Sequence, residues 1–166
     1  MRIRLLLSFD EDAACRLLNW LAGENMLIRL ANPELPLLYD SGVVYRREPD
    51  ETWRDYPNML VAGHEDCDSL AAARAGEILA HGAGAFLPGD VGYAQTRDVD
   101  EPIRAEVMLL TRSPRDEPGL YHCIVRFWVG DEELRDDPSA RLGMLGNIDP
   151  EVQRRWRQRA GQGRST

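Results

Sequence analysis

The chain has 166 residues, with 28 acidic side chains against 20 basic ones and a net charge of −8. This length suits one domain with a real core, and 43% hydrophobic with 29% charged residues excludes a disordered chain. A pI near 4.9 argues against nucleic-acid binding, and no run approaches the roughly 18 to 20 apolar residues of a membrane helix.

Residues 2–8 have the pattern of a short edge strand. Arg2 and Arg4 precede Leu5, Leu6 and Leu7, but Asp10, Glu11 and Asp12 cut the apolar run short. No small-residue cleavage site follows, so no secretory signal peptide is expected. Ser8-Phe-Asp-Glu11 has the Ser-x-x-Glu form of a helix capping box, and Ala13, Ala14, Leu17, Leu18 and Leu21 follow at helical spacing. The spacing predicts a helix to about Leu21, or to Leu30 across a fault at Gly23, with Asn32-Pro33 as its stop. Pro33, Pro36, Pro49 and Pro57 make 32–58 an extended, irregular connection. Its length points to a packed functional loop or a wrapped surface segment.

A second helix is expected from near Glu65 to His81-Gly82, with acids at its start and glycine at its end. The Gly- and Asp-rich stretch 83–102 reads as loop. Residues 103–112 and 120–129 read as an antiparallel pair joined by 113–119, and 132–135 as a third short strand after the Gly130-Asp131 turn. Asp149-Pro150 opens a last helix, with Pro150 at its favoured first position. The expected class is α+β, with 1–147 as one domain and 148–166 as a basic helix and tail. There is no internal repeat.

All 20 basic residues are arginine, so every basic side chain is an always-protonated guanidinium. Residues 151–166 carry Arg154, Arg155, Arg157, Arg159 and Arg164 against Glu151 alone, a charge of +4 that leaves −12 on the rest. Such a tail can dock on nucleic acid, on an acidic partner or on its own acidic body.

Three cysteines, Cys15, Cys67 and Cys123, cannot complete a disulfide framework and point to free thiols. Cys67 falls in the first turn of the second helix, where backbone N–H groups and the dipole favour a thiolate and can hold an oxyanion. His122 falls on a later strand, with Asp136 and Asp137 beyond it, in the order of a nucleophile, base and orienter. Glu65, Asp66 and Asp68 surround Cys67 and work against its ionisation. A metal site is the rival reading, because His64, Cys67, His122 and Cys123 supply four N/S ligands. Strand alternation, however, points His122 and Cys123 to opposite faces, so no metal or other cofactor is expected. Leu120, Ile124 and Trp128 accompany His122, and Tyr121, Val125 and Phe127 accompany Cys123, so the strand reads as buried on both faces.

The segment from His64-Glu-Asp-Cys67 through Ile78 resembles the Gly-Asp-Cys-Glu-Asp-Leu-Ala helix start of transglutaminase-like cysteine proteins, in the small form encoded by tailed bacteriophages. Tyr121-His122-Cys-Ile-Val-Arg126 is similar to their His-bearing strand, and Asp137-Pro-Ser-Ala-Arg-Leu-Gly-Met144 to their closing Asp-Pro-Ser element. Asn32 through Tyr45 resembles the segment that precedes the Cys helix in those phage proteins. Glu65 stands where the family usually has glycine, and Cys123 where the wider superfamily has a small residue. The resemblance implies a papain-like α+β core, with a nucleophile helix packed on a small antiparallel sheet. It implies Cys67 as nucleophile, His122 as general base and then acid, and Asp137 as orienter, with Asp136 as the near rival.

Two functions are compatible with that resemblance. One is a virion structural or assembly component, held by other phage structural proteins in the virion or in the host cytoplasm. The other is an active cysteine peptidase, amidase or acyltransferase that works through a thioester on a protein substrate. No membrane partner is expected from either.

Overall fold

The computed structural model describes residues 10–48, 52–81, 104–111 and 121–144. The strand expected at 2–8, the loop at 83–102 and the helix from 149 lie outside them. Helix α1 spans Glu11–Ala31 and is capped by Asp10, whose carboxylate accepts the Ala13 N–H at 2.7 Å. The cap is therefore Asp10 instead of the Ser8 of the expected capping box, and Ser8 lies outside the described residues. Gly23 does not interrupt the helix. Its cost is the propensity penalty of about 1 kcal/mol, and burial of Leu18, Leu21, Ala22, Asn25 and Arg29 along the helix offsets it.

Helix α3, Cys67–His81, is the centre of the molecule, and every residue from Leu70 to Ile78 is buried. A helix buried all round has to be covered on every side. Helix α1 covers one side at close range. A Cβ on Gly76 would stand 2.6 Å from the Asn25 Cβ and 2.7 Å from the Ala22 carbonyl oxygen. The second cover is a sheet of β3 (Arg104–Thr111), β4 (Tyr121–Val129) and β5 (Glu132–Asp136), antiparallel in that order. Val107, Cys123, Val125 and Phe127 from this sheet pack with Ala71, Ala72, Ala75 and Ile78 of α3 and with Leu18, Leu21 and Ala22 of α1. At the β3 edge, the Asn19 side chain accepts the Val107 N–H at 2.8 Å and donates to its carbonyl at 3.1 Å. One amide thus stands in for a neighbouring strand.

The proline-rich connection forms the third cover. It contains a 3₁₀ turn at Leu38–Asp40, the short strand β1 (Val44–Tyr45) and helix α2 (Tyr56–Ala62). Leu38, Val43, Tyr56 and Met59 pack on Leu70 and Ala73 of α3. The segment expected to be irregular therefore wraps the central helix and carries a helix of its own. Asp55 caps α2 by accepting the Asn58 N–H at 3.0 Å, and Pro57 sits in its first turn, where no backbone donor is needed. Strand β1 pairs in parallel with β2 (His64–Glu65), so Glu65, expected at the helix start, belongs to a strand. The architecture is mixed α and β with a small antiparallel sheet. No helix among the described residues is long and apolar enough to cross a membrane.

Four buried charges tie these covers to α3. Glu77 pairs with Arg29 of α1 at 2.7 Å and with Arg74, and accepts the Leu38 N–H at 2.7 Å. Arg74 Nε reaches Asp136 at the end of β5 at 2.8 Å, where the Tyr39 hydroxyl also donates at 2.7 Å. Buried charges are tolerable only when paired in this way. The network fixes the register of the connection, α1 and β5 about one helix.

Candidate active site

The start of α3 lies against the start of β4. Cys67 opens the helix, the Asp66 carbonyl accepts the Leu70 N–H at 3.2 Å, and the half-buried Cys67 Sγ stands 3.9 Å from the Tyr121 carbonyl oxygen. His122 follows on β4 and is 1% exposed. Its Nε2 lies 2.8 Å from Asp137 Oδ2. The other Asp137 oxygen accepts the Ala140 N–H at 3.0 Å, which caps α4 (Pro138–Arg141). The Asp-Pro-Ser string is therefore a helix start, with Asp as cap and Pro in the first turn. Capping fixes the carboxylate, and the carboxylate fixes the ring. Its other ring nitrogen, Nδ1, is buried from solvent.

The charges agree with that geometry. The Cys123 thiol, by donating to the Cys67 sulfur, and then the His122 imidazole, by hydrogen bonding and charge, hold the Cys67 thiol down at about 5 against the effect of burial. Burial works to lower His122, but hydrogen bonding and charge from Asp137 and Cys67 bring it up to about 9. At neutral pH the pair is a thiolate and an imidazolium. Cys123 is pushed up in turn, by its bond to Cys67 and by burial.

The three acids that flank Cys67 in sequence are held in three different ways. Glu65 is buried and pairs with Arg54 at 2.7 Å. Burial, and then the hydrogen bond and charge of Asp68, push Asp66 up to about 10, so it is protonated at neutral pH. Asp68 accepts the Trp53 indole N–H at 2.5 Å and the Ser69 N–H at 2.6 Å. Arg54 and Trp53, remote in sequence, thus engage two of the three acids, and burial with the neighbouring Asp68 keeps the third protonated.

The structure brings Cys67, His122 and Asp137 together and turns Asp136 away to Arg74. It also adds Cys123, which the alternation argument set apart from His122. Alternation governs where Cβ points. At the start of β4, however, both side chains act on the ionisation of one sulfur from the facing helix. The rival ligand set does not assemble. His64 Nδ1 lies 3.6 Å from Glu48, and among the described residues no group of three or more His, Cys, Asp or Glu could hold a metal ion.

No family model, curated protein or solved structure matches the chain.

Proposed function

We propose that the chain is a thiol acyl-transfer enzyme with a transglutaminase-like, papain-like core. The observation that carries this reading is the Cys67–His122–Asp137 constellation with the His122–Asp137 contact at 2.8 Å. The Cys67 thiolate attacks a carboxamide or peptide carbonyl, and backbone N–H groups at the start of α3 receive the oxyanion. The His122 imidazolium protonates the departing amine, leaving a thioester on Cys67. Neutral His122 then takes a proton from water or an acceptor amine, which attacks the thioester and frees the thiolate. With no lysine, the chain offers no side-chain amine to its own acyl-enzyme.

The test is amine or ammonia release from a glutamine-containing peptide, with the acyl-enzyme trapped and weighed. Cys67→Ala is expected to lower turnover at least ~1,000-fold, and iodoacetamide is expected to label Cys67 ahead of Cys15 and Cys123. Turnover that survives Cys67→Ala, or labelling of Cys67 at the rate of a free thiol, overturns the reading.

A second reading is a virion assembly component built on the same core and bound by other phage structural proteins, in the virion or the host cytoplasm. What favours it is the outer side of α1, where Trp20, Leu27 and Leu30 are 64%, 55% and 57% exposed.

A further inference from the structure

We propose that Cys67 and Cys123 are a redox-active dithiol, oxidised by a peroxide to an intrachain disulfide and restored by a dithiol reductant. Cys123 is 2% exposed and belongs to the core cluster against which Cys67 packs. Within that packing, each thiol is the leading influence on the other's ionisation, Cys123 lowering Cys67 and Cys67 raising Cys123. The two positions differ in access. Cys67 is half-buried at the head of α3, so part of it meets solvent, whereas Cys123 is buried. Cys15 is engaged elsewhere, donating to the Val107 carbonyl at 3.3 Å, and serves as an internal control.

The chemistry balances with one peroxide. The Cys67 thiolate attacks the O–O bond and becomes a sulfenic acid, and the departing hydroxide takes the proton of the His122 imidazolium. The Cys123 sulfur then attacks the Cys67 sulfur, so that an S–S bond forms and the S–O bond breaks. The Cys123 proton leaves with that hydroxide as the second water. Two thiols are oxidised and the peroxide is reduced to two waters. Without a neighbouring thiol, a low-pKa cysteine proceeds to the irreversible sulfinic acid. Cys123 intercepts it at the reversible stage.

The consequence for turnover rests on the acyl-transfer reading, but the bridge itself does not. The full chain, reduced and then treated with equimolar hydrogen peroxide, is alkylated with iodoacetamide and cut at arginine. The three cysteines fall in three separate peptides, 5–16, 55–74 and 116–126. The expected result is a disulfide between the second and third peptides, alkylation retained at Cys15, and return of Cys67 labelling after dithiothreitol. In Cys123→Ala, Cys67 is expected to be trapped by dimedone as sulfenic acid and then lost to sulfinic acid that dithiothreitol does not reverse. Over-oxidised Cys67 beside an alkylated Cys123 in the unmodified chain, bridges only between chains, or no oxidation at either position overturns the proposal. A bridge without acyl-transfer turnover removes only the function proposed above, and turnover without a bridge removes only this inference.

Discussion

Asp136 and Asp137 are consecutive, yet they hold different groups on opposite sides of the chain. Asp136 accepts from Arg74 at 2.8 Å and from Tyr39 at 2.7 Å, inside the buried network. Asp137 holds His122 at 2.8 Å and caps α4. Substitution by asparagine separates these roles, because asparagine keeps shape and capping while removing charge. In Asp137→Asn the imidazolium loses its countercharge, so the His122 pKa falls from about 9 and the Cys67 pKa rises from about 5. The midpoint of Cys67 alkylation against pH is expected to move up by about one pH unit or more. In Asp136→Asn that midpoint stays, while the urea midpoint drops to reflect roughly 3 kcal/mol of lost stability from a buried guanidinium left short of a partner. The linkage signs differ for the two members of the pair. The lowered Cys67 pKa contributes stability that is present above the ordinary thiol pKa and lost as pH falls through about 5. The raised His122 pKa contributes stability that is present below 6.5 and lost as pH rises through about 9. The acylation step of the proposed reaction, which needs both charges, should therefore follow a bell between those limits in a rate measurement across pH.

At the level of elements, the approach of α1 to α3 has a sign that can be measured. Gly76→Ala in a helix interior ordinarily gains about 1 kcal/mol from propensity. Here the new methyl meets Asn25 Cβ at 2.6 Å and the backbone of Ala22 and Met26 at 2.7 and 2.9 Å, none of which can yield without moving α1. Overpacking is expected to win, with a net loss of about 2 kcal/mol in urea unfolding, and a more stable variant would refute the close approach. The same elements mark how far the sequence was legible. Helix α3 and the β3–β4 pair are strongly patterned, and their expected limits lie close to those observed, whereas α1 runs to Ala31, well past the Leu21 limit and matching only the longer alternative at Leu30. Helix α2 escaped because Pro57 reads as a breaker unless its place in the first turn, set by the Asp55 cap, is already known. The N-cap of α1 was ambiguous because Ser8 and Asp10 both satisfy local capping rules, and only the contact to Ala13 separates them. Cys67 and His122 stood out by motif order, which left Asp136 and Asp137 both open, and only the resemblance favoured Asp137. Cys123 did not stand out, since strand periodicity sets it on the face opposite His122. Arg29, Arg74, Glu77 and Asp136 were invisible as a group, because charges distant in sequence read as solvated surface until folding brings them together.

At the scale of the whole molecule, the two hydrophobic clusters among the described residues are built on α3, and their buried members lie between Leu18 and Phe127. The site shares that frame. Cys67 opens α3, His122 lies on the strand that α3 covers, and Asp136, beside Asp137, is tied to α3 through Arg74. Residues 148–166 carry few large apolar side chains, Val152 and Trp156 among them, and five arginines opposite in sign to the net charge of the rest of the chain. Deleting 148–166 is therefore expected to leave the urea midpoint and the pH profile of Cys67 alkylation unchanged. If the chain is also an assembly component, its basic segment is the natural contact for an acidic partner. The deletion should then abolish incorporation into particles, scored by co-sedimentation, while acyl transfer persists. Loss of the fold on deletion would instead make Trp156 a member of the intramolecular core and remove the tail as an argument for a partner. Unchanged incorporation would leave the outer side of α1, with Trp20, Leu27 and Leu30, as the surface to test by charge substitution.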